Sequence, residues 1–268
     1  MENAVCPMSE FRIELPTADG RIPVFVSEPD ADVPRPAVIL YMDMYGAREA
    51  LYEIARHVGA IGYRCAVPDL YYRQGRVLYD FRDERNRMQS ASRLGPGVRE
   101  AMLAQMRRLT DEMMLADTAV LLEYFRADPR VWPDAVGVFG YCIGGRHAIS
   151  AAARFPDRIA AAAALHGTNL VTDEPHSPHR LAGRIRGELY CGYGADDPYA
   201  KPEAIAAFAA ALAAAPVRYQ YKLHAGAAHG YALPDRDVYD PQATARDWEM
   251  ILQMFQRRLP PYGGAPPP

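Results

Sequence analysis

Short apolar runs alternate with stretches of helical period along most of this chain. "PAVILYM" (Pro36–Met42) is a near-continuous apolar run of strand length, the pattern of a strand covered on both faces. "REALYEIARHVGAIGY" then places apolar residues at helical spacing, and Gly59 and Gly62 close it. "RCAVPDLY" predicts the next strand, stopped by Pro68, and one long helical pattern runs from Arg99 to Asp128. Strand "AVGVFG", helix "GGRHAISAAARF", strands "IAAAAALHG" and "GELYCGYG", helix "PEAIAAFAAALAAA", strand "VRYQYKL" and helix "PQATARDWEMILQMFQRRL" complete the series. Strands separated by helices need crossover connections, so the pattern predicts an α/β fold with a mostly parallel central sheet flanked by helices. "FRIEL" and "IPVFV", joined through "PTADGR", predict an antiparallel hairpin on its N-terminal edge.

Two segments break the alternation. Tyr71–Gly97 is polar and basic without a clean period, and Thr168–Arg186 is a second irregular stretch; both are expected to lie above the sheet, where long insertions tend to carry function. Neither a repeat nor a linker divides the chain, so residues 11–259 are expected to form a single domain after an N-terminal arm, residues 1–10. The Pro/Gly-rich tail, residues 260–268, is expected to be disordered.

Composition narrows the class. Half of the 268 residues are hydrophobic, enough for a sizeable core, and a net charge of −3 argues against nucleic acid or an acidic membrane surface as partner. The longest apolar run, Ala204–Ala215, is too short for a membrane span, which takes roughly 18 residues. The first residues lack the pattern of a secretory signal, and four cysteines without paired spacing suit reduced thiols. A soluble, cytoplasmic protein is the expectation.

Chemistry concentrates at "VGVFGYCIGGRHA", Val136–Ala148. Cys142 falls where a strand ends and a helix begins, with Gly140 and Gly144 two residues to either side. That is the G-x-nucleophile-x-G elbow with cysteine in place of serine; the glycines relieve crowding around a strained residue. The helix N-terminus favours thiolate, and the N–H of Ile143 is placed to stabilise an oxyanion. A buried cysteine in a Gly-rich turn is the competing reading. The order of the other candidates decides against it, since an acid should follow a later strand and a histidine should come near the C-terminus. Asp196 and Asp197 follow "GELYCG", and His229 lies in a glycine-flanked loop after "VRYQYKL". The turn at Asp197-Pro198 favours Asp197 as the acid. His224 reads as structural, Cys65 and Cys191 as strand residues, and Cys6 as part of the arm. His176 and His179 are too few for a metal site and read as pocket-lining or solvent-facing, so no metal is expected.

With these residues in place the chain resembles the dienelactone hydrolase family, cysteine members of the α/β-hydrolase fold. "GYCIGG" is similar to the family's nucleophile motif, "PDLYYRQG" (Pro68–Gly75) with "DERNR" (Asp83–Arg87) to its loop above the site, and "AAHGY" (Ala227–Tyr231) to its histidine segment. The resemblance implies that Cys142 is the nucleophile, His229 the base and Asp197 the acid, with no cofactor. Through "YMDMYG" it implies that Met44 gives the second oxyanion N–H and that Asp43 modulates the thiol, where the family usually carries a glutamate. It also implies that Arg87 grips a substrate carboxylate, while Leu233 stands where a second arginine is expected; Arg236 replaces that arginine only if its loop folds inward. The expected partner is a small-molecule ester or lactone, acted on by a monomer or homodimer. The rival readings are a thioesterase, a broader carboxylesterase, and a ligand-binding or thiol-sensing protein without turnover.

Overall fold

The computed structural model describes residues 7–30, 33–75, 77 and 79–261, so Cys6 and most of the tail lie outside it. Strand β1 (Met8–Thr17) turns through Gly20, at φ 133°, into β2 (Gly20–Pro29), and the two pair antiparallel over their whole length. The hairpin is longer than its apolar cores suggest. Residues 8–10, assigned to the arm from sequence, pair with residues 27–29 instead, because ladder bonds extend a strand past its last apolar side chain.

The chain continues through β3 (Arg35–Tyr41), α1 (Glu49–Ala60) and β4 (Arg64–Pro68), and both of these strands are almost wholly buried. Next come α2 (Pro96–Arg108), α3 (Asp111–Ala127), β5 (Val131–Tyr141), α4 (Ile143–Arg154) and β6 (Ile159–Leu165). Last are β7 (Glu188–Gly194), α5 (Pro202–Ala213), β8 (Tyr219–His224) and α6 (Pro241–Arg258). The eight strands form one sheet in the order β1-β2-β4-β3-β5-β6-β7-β8. β2 meets β4 antiparallel, and every later neighbour is parallel; α1 joins β3 to β4, α2 and α3 join β4 to β5, α4 joins β5 to β6, and α5 joins β7 to β8. Among the described residues no helix is long and apolar enough to cross a membrane.

The single helix expected over Arg99–Asp128 is two. Thr110 breaks it: its hydroxyl accepts the Met113 N–H at 3.2 Å, with Asp111 and Glu112 in the new first turn. α2 therefore stands apart as a flap that follows the first irregular segment, and Met102 is its only buried residue. It closes over a small apolar cluster of Met44, Tyr45, Met88 and Met102 that is separate from the main core.

The β5–α4 corner shows why two glycines flank Cys142. A Cβ on Gly140 would lie 2.2 Å from the Gly144 oxygen, and one on Gly144 would lie 2.5 Å from the carbonyl oxygens of Tyr41 and Met42. The first clash is with the backbone of α4, and the second with backbone at the carboxyl end of the neighbouring strand β3. Gly144→Ala is therefore expected to cost about 2–3 kcal/mol of stability, read as a lower urea midpoint. An unchanged midpoint would mean that the corner relaxes freely.

Candidate active site

The carboxyl ends of β3, β5, β6, β7 and β8 each deliver one polar group to a common cavity of about 650 Å³: Asp43, Cys142, His166, Asp196 and His229. Ligands collect at these ends in open parallel sheets because the loops diverge there.

Cys142 caps α4 with φ 57° and ψ −119°, a left-handed conformation that a non-glycine residue adopts only when its surroundings force it. They do so by hydrogen bonds. Its N–H donates to Leu165 O at 3.1 Å, and its carbonyl accepts from Gly145 N at 3.0 Å and Thr168 N at 3.2 Å. Ile143 is the first residue of α4, so its N–H has no acceptor within the helix. Met44 lines the same cavity, and its carbonyl accepts the Tyr71 hydroxyl at 3.2 Å, which anchors the loop after β3.

His229 Nδ1 donates to Asp197 Oδ2 at 2.8 Å, while Asp197 Oδ1 accepts the Tyr199 N–H at 2.8 Å. Asp197 is buried, whereas Asp196 is exposed on the cavity rim without an ion pair to His229. The His229 ring lies between the edges of Tyr199 and His166, each 4.9 Å away between centroids. Burial works against the imidazolium, but the Cys142 charge, the hydrogen bonds to Asp197 and Cys142, and the Asp197 charge outweigh it and push the pKa up to about 10. The folded value lies above the ordinary 6.5, so this interaction adds stability below pH 6.5 that is lost as pH rises toward 10. In Cys142→Ala the thiol's contributions vanish and burial remains. The ¹⁵N titration midpoint of His229 is then expected to drop below its wild-type value, and equal midpoints in the two proteins would refute the coupling.

Asp43 is turned elsewhere than expected. Its carboxylate accepts from Arg48 Nη1 and Nη2 at 2.6 and 3.2 Å, from the Tyr45 N–H at 3.0 Å and from Arg236 Nη1 at 3.4 Å. Arg48 in turn holds Asp235 at 2.7 and 3.2 Å. Among the described residues no hydrogen bond joins Asp43 to Cys142, because the bidentate grip of Arg48 fixes the short side chain on the far side.

Arg87 is also misplaced by the sequence reading. It pairs with Asp83 at 2.9 Å, is partly exposed, and does not line the cavity. The "DERNR" turn folds on itself, with the Arg85 and Arg87 N–H groups donating to the same Asp83 oxygen. Leu233 is core. Arg236 does fold inward, because Met88 N–H donates to Asp235 O at 2.6 Å and Asp237 N–H to Met88 O at 3.0 Å, pinning that loop under the flap. Its guanidinium stacks 4.2 Å above the Tyr45 ring.

His166 was missed. It ends the "IAAAAALHG" strand, and its place at a strand's carboxyl end could have marked it. Its backbone has φ 40°, and neither ring nitrogen bonds any other described residue. Burial first, then the charges of His229 and Arg236, hold its pKa well below the ordinary value, so it is neutral. Behind His229, buried Asp247 on α6 accepts from Tyr190 and Tyr231 hydroxyls at 2.6 Å each and from His224 Nε2 at 2.7 Å. His224 and Tyr231 bracket the loop that carries His229. His176 and His179 lie away from this cavity; His176 is half-exposed beside Asp111 and Glu174, and His179 Nδ1 is 2.8 Å from the Ser177 hydroxyl. Among the described residues no group of three or more His, Cys, Asp or Glu is placed to hold a metal ion.

A crossover sheet with a cysteine on the strand–helix elbow, and an imidazole and carboxylate supplied by later loops, defines an α/β hydrolase. The profile of the dienelactone hydrolase family matches residues 22–259. The chain belongs to the dienelactone hydrolase family, and it is a hydrolase. A carboxymethylenebutenolidase of Rhodococcus opacus is 26% identical over 226 residues, spanning 83% of this chain and 81% of that one. A Klebsiella pneumoniae structure described provisionally as a dienelactone hydrolase superposes with a TM-score of 0.80 at 22% identity, covering 94% of this chain and 99% of its own. A dienelactone hydrolase-like promiscuous phosphotriesterase from metagenomic libraries gives a TM-score of 0.74 at 20% identity, covering 93% and 98%. At these identities the two structures speak for the fold.

Proposed function

We propose that this hydrolase cleaves an ester or lactone through a Cys142–His229–Asp197 triad and a covalent acyl-thioenzyme. The observation that carries the reading is the 2.8 Å Nδ1–Asp197 bond, which aims the other edge of His229 at a thiol held on a strained elbow in the same cavity.

The steps follow from that arrangement. The Cys142 sulfur, its proton on His229, attacks the carbonyl carbon, and the C–O π pair moves to oxygen. The N–H groups of Ile143 and Met44 stabilise that oxyanion. As the carbonyl re-forms, the ester C–O bond breaks and His229 returns its proton to the leaving oxygen, which in a lactone stays tethered as the new hydroxyl. Water then gives a proton to His229 and attacks the thioester. The C–S bond breaks, the acid leaves, and sulfur and imidazolium are restored as the starting pair. Asp197 keeps the tautomer and the cationic form in register throughout.

Hydrolysis of p-nitrophenyl acetate and a panel of lactones by wild type and Cys142→Ala tests this, with intact-mass detection of the acyl adduct on the wild-type chain. Turnover that depends on the thiol is the expected result. A wild type inert toward every ester, yet still binding one of them stoichiometrically, would replace the enzyme reading with a binding protein.

A further inference from the structure

Resting on the reading just given, we infer that His166 holds the water that hydrolyses the acyl-thioenzyme, accepting a hydrogen bond from it while His229 takes its proton.

Placement comes first. His166 follows β6, the strand that lies between β5, which carries the nucleophile, and β7, which carries the acid. Its neighbour Leu165 accepts the Cys142 N–H at 3.1 Å. The His166 ring lines the cavity 4.9 Å from the His229 ring, centroid to centroid. One water oxygen can bridge two imidazoles at that separation.

The second observation is an unmet bond. His166 is buried, yet neither Nδ1 nor Nε2 is bonded by any other described residue. The rings of Tyr141 and Tyr231 hold it at 5.7 and 5.6 Å, but Tyr231 gives its hydroxyl to Asp247. Buried polar atoms without a partner are unfavourable enough to be rare. The backbone adds strain, since φ is 40° and is held there by the His166 N–H donating to Gly192 O at 2.8 Å. Both penalties fall on one side chain in the cavity wall, next to the catalytic imidazole.

Charge completes the case. Burial first, then the charges of His229 and Arg236, keeps His166 neutral, so one ring nitrogen retains a lone pair. A water that donates one O–H to that lone pair has its other O–H left for His229 and its oxygen free to face the acyl carbon. In the acyl-thioenzyme His229 is neutral, and it takes one water proton as the oxygen bonds to the thioester carbon. The C–S bond breaks and its electron pair returns to sulfur, restoring thiolate and imidazolium. The second water hydrogen, on the His166 side, leaves with the acid. Attack of Cys142 on the ester uses no water, so His166 should matter to the second half-reaction alone.

A single turnover with enzyme in excess over p-nitrophenyl acetate separates the halves. Release of p-nitrophenolate reports acylation, and rapid-quench intact mass follows loss of the acyl group. His166→Phe keeps a packed ring and removes both nitrogens. It is expected to slow deacylation by about tenfold to a hundredfold, with acylation within about threefold of wild type. His166→Ala removes the same nitrogens if the first variant does not fold. Asn and Gln set an amide at the reach of Nδ1 and of Nε2, so either His166→Asn or His166→Gln is expected to recover most of the lost rate. Equal slowing of both halves, unchanged deacylation, or no recovery by either amide overturns the inference, while an acyl adduct on wild type leaves the triad standing. A wild type that forms no acyl adduct overturns both.

Discussion

Cys142→Ala is expected to lower kcat/KM for p-nitrophenyl acetate by about 10⁴-fold or more, to a rate set by the cavity and the oxyanion N–H groups alone. Alanine keeps the elbow's backbone, whose strain is held by the Leu165, Gly145 and Thr168 hydrogen bonds, so the fold should survive with an unchanged circular dichroism spectrum. The acyl adduct should vanish from the mass spectrum together with turnover. A variant that retains more than about a tenth of wild-type activity would move the nucleophile elsewhere. Cys65 and Cys191 are poor replacements, since both are fully buried and burial pushes their thiols up in pKa.

Asp197→Asn is expected to reduce kcat by about 10³–10⁴-fold with little change in KM. The amide preserves shape, but it neither supports the imidazolium nor enforces the tautomer that Oδ2 now selects at 2.8 Å. Asp196→Asn, the adjacent and exposed control, should stay within about twofold of wild type, because surface charges near a site contribute little. Equal losses from both substitutions, or a larger one from Asp196, would reverse the assignment of the acid. Parallel assays of the two variants at fixed pH decide it.

Which parts of this arrangement could be read from sequence follows from the range of the forces involved. The elbow was legible because Gly140 answers a backbone collision with Gly144 four residues on, and so local a collision leaves a spacing, whereas the press of Tyr41 and Met42 on Gly144 crosses about a hundred residues. The parallel sheet was legible because strands covered on both faces show as unbroken apolar runs. The Thr110 cap was also present in "TDEMM", but the helical period on both sides of it masked the break. The orientation of Asp43 was not legible: it depends on Arg48 being shared with Asp235, far along the chain, through a loop that Met88 pins in place. Arg87 shows the opposite failing. Its partner Asp83 is four residues away, and the local ion pair outweighed a role suggested by resemblance. His166 lacked any motif; only its position at the end of β6 set it apart.

Asp247 gives the last helix a part in the chemistry, although no residue of α6 lines the cavity. Its carboxylate ties Tyr190 of the sheet, His224 before the histidine loop and Tyr231 within it to a single point. The aim of His229 is thus inherited from how α6 docks on the sheet. Lifting this helix would release Tyr190, His224 and Tyr231 from their shared carboxylate at once, and the loop that carries His229 would lose its tie to the sheet.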